Sequence, residues 1–203
     1  MKFNLPTKLT FLRIGLALLI ILLLLFPFYR VGFEFKTFLF HSVLIDVRYI
    51  MCGVIFMIAS FTDYLDGSIA RKKHEVTDFG KFTDAIADKV LVNSVLIIFA
   101  SQGFIPAVIP VVIIVRDIIV DAIRMNVSAK GSVQAARMSG KIKTASLMVG
   151  IVFTFFYNLP FELFGFQISK FFLYFGTLMS LVSMVEYYNL NKKLLYSEFE
   201  TKK

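Results

Sequence analysis

The chain has 203 residues, 58% of them hydrophobic, with a mean hydropathy of +0.76. That is too apolar for a soluble domain of this size, and it places residues 1–203 in a bilayer as a single domain. One cysteine, Cys52, excludes a disulfide framework and a cysteine-based metal centre, while the net charge of +8 is informative through its distribution rather than its sum.

A helical membrane span takes about 20 mostly apolar residues. Phe3-Asn4-Leu5-Pro6-Thr7 reads as a short N-terminal interfacial segment with Thr7 as a helix cap. The first span follows at 9–28. Lys2, Lys8 and Arg13 ahead of the run Ile14–Phe28 resemble a secretory signal, but no small-residue cleavage pattern follows, so this span is expected to be retained. Further spans are expected at 43–62, 83–102, 104–124, 142–160 and 166–188. The third and fourth are joined by a turn at Gln102-Gly103-Phe104, with Pro106 in the first turn of the next helix. Lipid cannot satisfy an open strand, so the expected fold class is all-α: a polytopic membrane protein with six transmembrane helices. Lys and Arg gather on the side of the N-terminus, the 2–3 and 4–5 connections and the C-terminus. The other side carries only Arg30, Lys36, Arg48 and Lys170. Both termini are therefore expected to be cytoplasmic, in a multi-pass protein of a cell membrane.

Where the second span meets the third, the chain reads Asp63-x-x-Asp66-Gly67-x-x-Ala70-Arg71, then eight residues, then Gly80-x-x-x-Asp84-x-x-x-Asp88. Carboxylates at the edge of a span are costly and point to function. Asp63 and Asp66 share one helical face, as do Asp84 and Asp88, and the two faces turned together would gather four carboxylates. Such a cluster calls for a hard divalent cation, magnesium or manganese. Gly67 and Gly80 allow close approach of a ligand, Ala70 keeps the same neighbourhood free of bulk, and Arg71 is suited to bidentate contact with phosphate oxygens. Cations plus arginine suit a pyrophosphate bond, and a carboxylate not committed to metal can take a proton from an attacking hydroxyl.

A second polar patch follows. Arg116, Asp117, Asp121 and Arg124 fall within an arc of about 140° on the fourth span, either lining a cavity or tying helices together. Lys141 and Lys143 are candidates to bind the phosphate of a second, anionic substrate; the alternative is anchoring to anionic lipid. His41 and His74 have no partners at metal-ligand spacing.

The run from Asp63 to Asp88 matches the full signature of the CDP-alcohol phosphatidyltransferases, and most of the chain resembles the bacterial members of that family. The resemblance includes Asn4-Leu5-Pro6-Thr7-Lys8-Leu9-Thr10 with Arg13, Val76-Thr77-Asp78-Phe79-Gly80-Lys81-Phe82, Ala87-Asp88-Lys89, Val115-Arg116-Asp117 and Gly140-Lys141-Ile142-Lys143-Thr144. It implies transfer of the phosphatidyl group of CDP-diacylglycerol to sn-glycerol 3-phosphate with release of CMP. It further implies two divalent cations on Asp63, Asp66, Asp84 and Asp88, with Asp88 also the base that activates the acceptor hydroxyl. Gly67, Arg71 and Gly80 would contact the CDP moiety, and Arg116, Arg124, Lys141 and Lys143 the acceptor phosphate. A bacterial plasma-membrane homodimer among membrane lipid, without nucleic-acid partners, is the expected setting. The sequence departs from the family pattern at Ala85, where proline is usual, at Asp117, where glutamate is usual, and at Asp121, where a small or hydroxyl-bearing residue is usual. These positions bear on the choice of acceptor: inositol phosphate, phosphatidylglycerol and serine are the alternatives with the same chemistry. A cation transporter is the alternative from another class, with charge strung along a path through the membrane.

Overall fold

A computed structural model describes residues 5–41, 43–73, 78–129 and 137–200; the side chains of residues 5–6, 64–73, 78–79, 81, 193 and 195–200 fall outside that description. Among the described residues there are six α-helices and one two-stranded hairpin: α1 (Leu5–Leu25), β1 (Thr37–Phe40), β2 (Val43–Asp46), α2 (Val47–Lys73), α3 (Asp78–Ser101), α4 (Val108–Ala129), α5 (Met138–Phe155) and α6 (Ile168–Glu200).

Four sequence expectations change at the element ends. Helix α1 begins at Leu5, so Thr7 is a buried residue of its first turns rather than a cap. Residues 43–46 are strand, not helix: β2 pairs antiparallel with β1, from Thr37 opposite Asp46 to Phe40 opposite Val43. Asp46 is the residue that starts α2. Its Oδ1 accepts the backbone N–H of Arg48 at 2.8 Å, satisfying one of the free donors of the first turn. Pro106 precedes α4 and its carbonyl accepts the N–H of Ile109; the proline within the first turn is Pro110. Helix α2 also runs past 62, the expected end of the second span, to Lys73, so the backbone of the first half of the acidic motif is helical, as its spacing requires.

The helices form two groups of three. Helix α1 packs along both α2 and α3, and α6 along both α5 and α4; α2 with α5, and α3 with α4 and α5, join the groups. Both central helices bury a stripe that recurs every three or four residues. In α1 it is Thr7, Thr10, Arg13, Ala17, Ile20 and Leu24; in α6 it includes Ser169, Leu173, Ser180, Ser183, Tyr187 and Asn191. Among the described residues, these two are also long and apolar enough to cross a membrane on length and composition, as Thr7–Leu25 and Ile168–Lys192. Only 28% of either stretch is buried within the protein, so most of its apolar surface faces outward. Large apolar side chains stand exposed on the other helices too, among them Phe61, Phe82, Val115, Ile118 and Ile142. An outer surface of this kind belongs against lipid.

Between the groups lies the apolar core. Phe56 of α2, Phe99 of α3 and Phe155 of α5 are fully buried, and Phe155 meets Phe99 at 4.7 Å and Phe56 at 5.8 Å between ring centroids. The hairpin closes one end of this core, where the hydroxyl of Tyr157 accepts the N–H of Asp46 at 2.9 Å. The acidic motif lies toward the other end.

Candidate active site

Helix α2 delivers Asp63 and helix α3 delivers Asp84 to a single side chain of α1. Nη1 of Arg13 lies 2.7 Å from Oδ1 of Asp63 and 2.8 Å from Oδ1 of Asp84. Arg13 is wholly buried, whereas the two carboxylates keep 33% and 44% of their side-chain surface open. The two acidic faces therefore converge, with a guanidinium as their meeting point. Asp88, one turn beyond Asp84, shares a cavity wall with Asp63. Gly80 is half-buried at the start of α3. The side chains of Asp66, Ala70 and Arg71, and the surroundings of Gly67, lie outside the described residues. Among the described residues no three His, Cys, Asp or Glu side chains form a metal-holding group by themselves.

The cavity measures about 500 Å³ and lies between the two helix groups. One wall carries Asp63, Asp88 and Lys89 from α2 and α3. The facing wall carries Arg116, Asp117, Asp121 and Arg124 from α4, Lys141 and Lys143 from α5, and Tyr187 from α6. All four residues assigned to the second polar patch thus share a cavity with two of the motif aspartates.

Their engagements differ. Arg116 is committed within the protein through each of its nitrogens. Nε donates to the carbonyl of Ser180 at 3.1 Å, Nη2 to Ser183 Oγ at 2.6 Å and Nη1 to Asp117 Oδ1 at 2.8 Å. Lys143 donates to the same Asp117 oxygen at 2.6 Å. Arg124 donates to Tyr187 Oη at 2.7 Å and lies over that ring, 4.8 Å from its centroid. Lys141 is exposed at the mouth. Asp121 pairs with Lys89, across the gap between the helix groups. Glu186 of α6, next to Tyr187, accepts the hydroxyl of Ser139 at 2.6 Å, tying α5 to α6.

An acidic end opposite a wall rich in positive charge suits phosphorylated ligands. The family model described as CDP-alcohol phosphatidyltransferase matches residues 3–183. The chain belongs to that family. Among its relatives, a CDP-diacylglycerol–glycerol-3-phosphate 3-phosphatidyltransferase of Bacillus subtilis is 38% identical over 197 residues, covering 95% of this chain and 97% of the relative. A protein of the same name from Haemophilus influenzae is 30% identical over 98% of this chain and the whole of its own length. One from Mycoplasma genitalium is 44% identical over 57% of this chain and 49% of the relative. As a CDP-alcohol phosphatidyltransferase, the protein is an enzyme that transfers a substituted phosphate group.

Sequence reading passed over three residues of this site. In the sequence Arg13 stands as a charge ahead of the first apolar run and as part of the N-terminal resemblance, although its place in the stripe Thr7-Thr10-Arg13-Ala17 aims it inward. Lys89 follows Asp88 directly, and nothing in its spacing marks Asp121 as its partner. Arg137, at the start of α5, also lines the cavity.

Proposed function

We propose that this enzyme transfers the phosphatidyl group of CDP-diacylglycerol to sn-glycerol 3-phosphate, releasing CMP, at the cytoplasmic face of a bacterial cell membrane crossed by all six helices. The observation that carries this reading is the shared cavity: Asp63 and Asp88 face Arg124, Lys141 and Lys143 across one space, so a pyrophosphate and a second phosphate can lie side by side. The donor's acyl chains extend from the cavity into lipid, along the exposed apolar faces. Two divalent cations, magnesium or manganese, held by Asp63, Asp66, Asp84 and Asp88, would neutralise the charge that builds on the pyrophosphate oxygens. Hard carboxylate donors drawn together from two helices suit such cations.

Asp88 takes the proton of the acceptor hydroxyl. The freed oxygen attacks the phosphorus that bears the diacylglycerol, forming a new P–O bond. The bond from that phosphorus to the bridging oxygen breaks, and CMP departs with the electron pair. Arg71 and Gly80 position the CDP moiety beside Gly67 and Ala70, while Arg124, Lys141 and Lys143 hold the acceptor phosphate. Arg116 acts through its hold on α6 and Asp117. The working unit on this reading is a homodimer, which the mass of the detergent-solubilised protein tests.

A cation transporter is disfavoured because the charges gather at one end of the helices, beside phosphate-binding residues, instead of following a path through the middle. The decisive assay is CMP release from CDP-diacylglycerol in magnesium-containing micelles, comparing glycerol 3-phosphate with inositol phosphate, serine and phosphatidylglycerol. Turnover with glycerol 3-phosphate alone, abolished in Asp88→Asn, is expected. Turnover with a different acceptor would keep the chemistry and overturn the acceptor.

A further inference from the structure

We propose that Arg13 is a resident counter-charge of the acidic site: it takes the place of a cation between Asp63 and Asp84 when no metal is bound, and metal binding works against it. The inference rests on the reading of that site as a divalent-cation site. Three observations lead to it. Arg13 has no solvent exposure, yet one of its nitrogens contacts carboxylates of two different helices at 2.7 and 2.8 Å. Among the described residues, α2 and α3 both pack on α1, and this guanidinium is a polar link between the two acid-bearing helices. Its stripe-mates Ala17, Ile20 and Leu24 belong to the apolar core, which fixes the helix that carries it.

The physical consequence is an antagonism. Carboxylates this close repel one another unless a positive charge lies between them. Arg13 supplies that charge permanently, which keeps the site folded without metal. The same positive charge opposes an incoming cation, which therefore binds more weakly than it would to the bare acids. Removing it should make the fold depend more strongly on metal. A residue that merely packs α1 would, when replaced, lower stability by the same amount with or without metal.

The test reads thermal unfolding of the full-length protein in detergent by a thiol-reactive fluorescent dye. Cys52 is the only cysteine and is fully buried, so its exposure reports loss of the fold. Native protein, Arg13→Gln and Arg13→Lys are each heated in EDTA and in saturating magnesium or manganese. A ligand that binds only the folded state raises the transition according to its affinity. The expected result is a metal-induced rise in Tm that is larger in Arg13→Gln than in native protein by roughly 4 °C or more, with Arg13→Lys between them. Equal or smaller rises in the variants would overturn the inference. If Arg13→Gln folds only with metal, that supports it; if it folds under neither condition, the comparison of Arg13→Lys with native protein decides by the same criterion. Absence of any metal-induced rise in native protein would instead remove the metal reading on which the inference stands.

Discussion

Asp117 has two cationic partners on one oxygen, and that fixes Arg116 and Lys143 in place on the cavity wall. Arg116 and Lys143 both donate to its Oδ1. A buried charge held this way is costly to disturb, because removing one partner leaves the other uncompensated. Arg116→Lys keeps the charge but loses the planar fork that reaches Ser180, Ser183 and Asp117 together, so about 2–3 kcal/mol of stability should be lost, measured as a lower Tm. Lys141, exposed at the mouth, should behave in the opposite way. Lys141→Ala is expected to raise KM for the phosphorylated acceptor roughly tenfold while Tm stays unchanged, since one charge-assisted hydrogen bond is worth about 1.5–3 kcal/mol. At this scale the aspartates were legible in the sequence, because i, i+3 and i, i+4 spacing fixes a shared face. Their partners were not: that Asp121 meets Lys89, and that Arg13 meets two acids at once, depends on how three helices are arranged.

At the level of elements, α5 and α6 dock through reciprocal small-to-large contacts. A Cβ on Gly150 would come within 2.8 Å of Leu173 Cγ, and one on Gly176 within 2.9 Å of Leu147 side-chain carbons. Each leucine fills the space left by a glycine of the facing helix. Backbone nitrogens also lie close, at 3.1 Å for Leu173 and 3.3 Å for Leu147, so the side chains cannot simply swing away. Gly150→Ala or Gly176→Ala should each cost about 1–3 kcal/mol, read as a fall in Tm, and the double substitution should separate the helices enough to loosen the cavity wall that α5 and α6 share. The existence and order of the helices followed from runs of apolar residues. Their ends did not. Residues 43–46 are as apolar as the helix that follows them, and only the pairing of Phe38, Leu39 and Phe40 with Val43, Leu44 and Ile45 diverts them into a hairpin. The polar end of α2 likewise stays helical through Asp63 because α1 packs beside it.

For the whole molecule, sidedness is the testable quantity. With six crossings, positions near Lys2 and near Lys203 should lie on one face and Lys36 on the other. Single cysteines introduced at these sites, in a background where buried Cys52 does not react, should label from the outside of intact cells only at position 36. Labelling of both ends from outside would reverse the orientation and place the cavity on the wrong side for cytosolic nucleotide. Among the described residues hydropathy marks α1 and α6 most strongly, while the helices between them carry more charge. The sequence could show the apolar runs but not that its two most apolar helices would each serve as the axis of a three-helix group.

That arrangement separates two tasks that share a single reaction. The motif acids and their arginine belong to α1, α2 and α3, while the cations of the facing wall belong to α4, to α5 and to Arg137 just ahead of α5. On the proposed roles of the two walls, substitutions in the second group would reshape the pocket for a different alcohol while the acids that meet the pyrophosphate stay as they are. A lineage built this way can diversify its lipid headgroups by altering half of one small chain, and a chimera joined in the 102–107 connection should carry the acceptor preference of whichever parent supplied its C-terminal half.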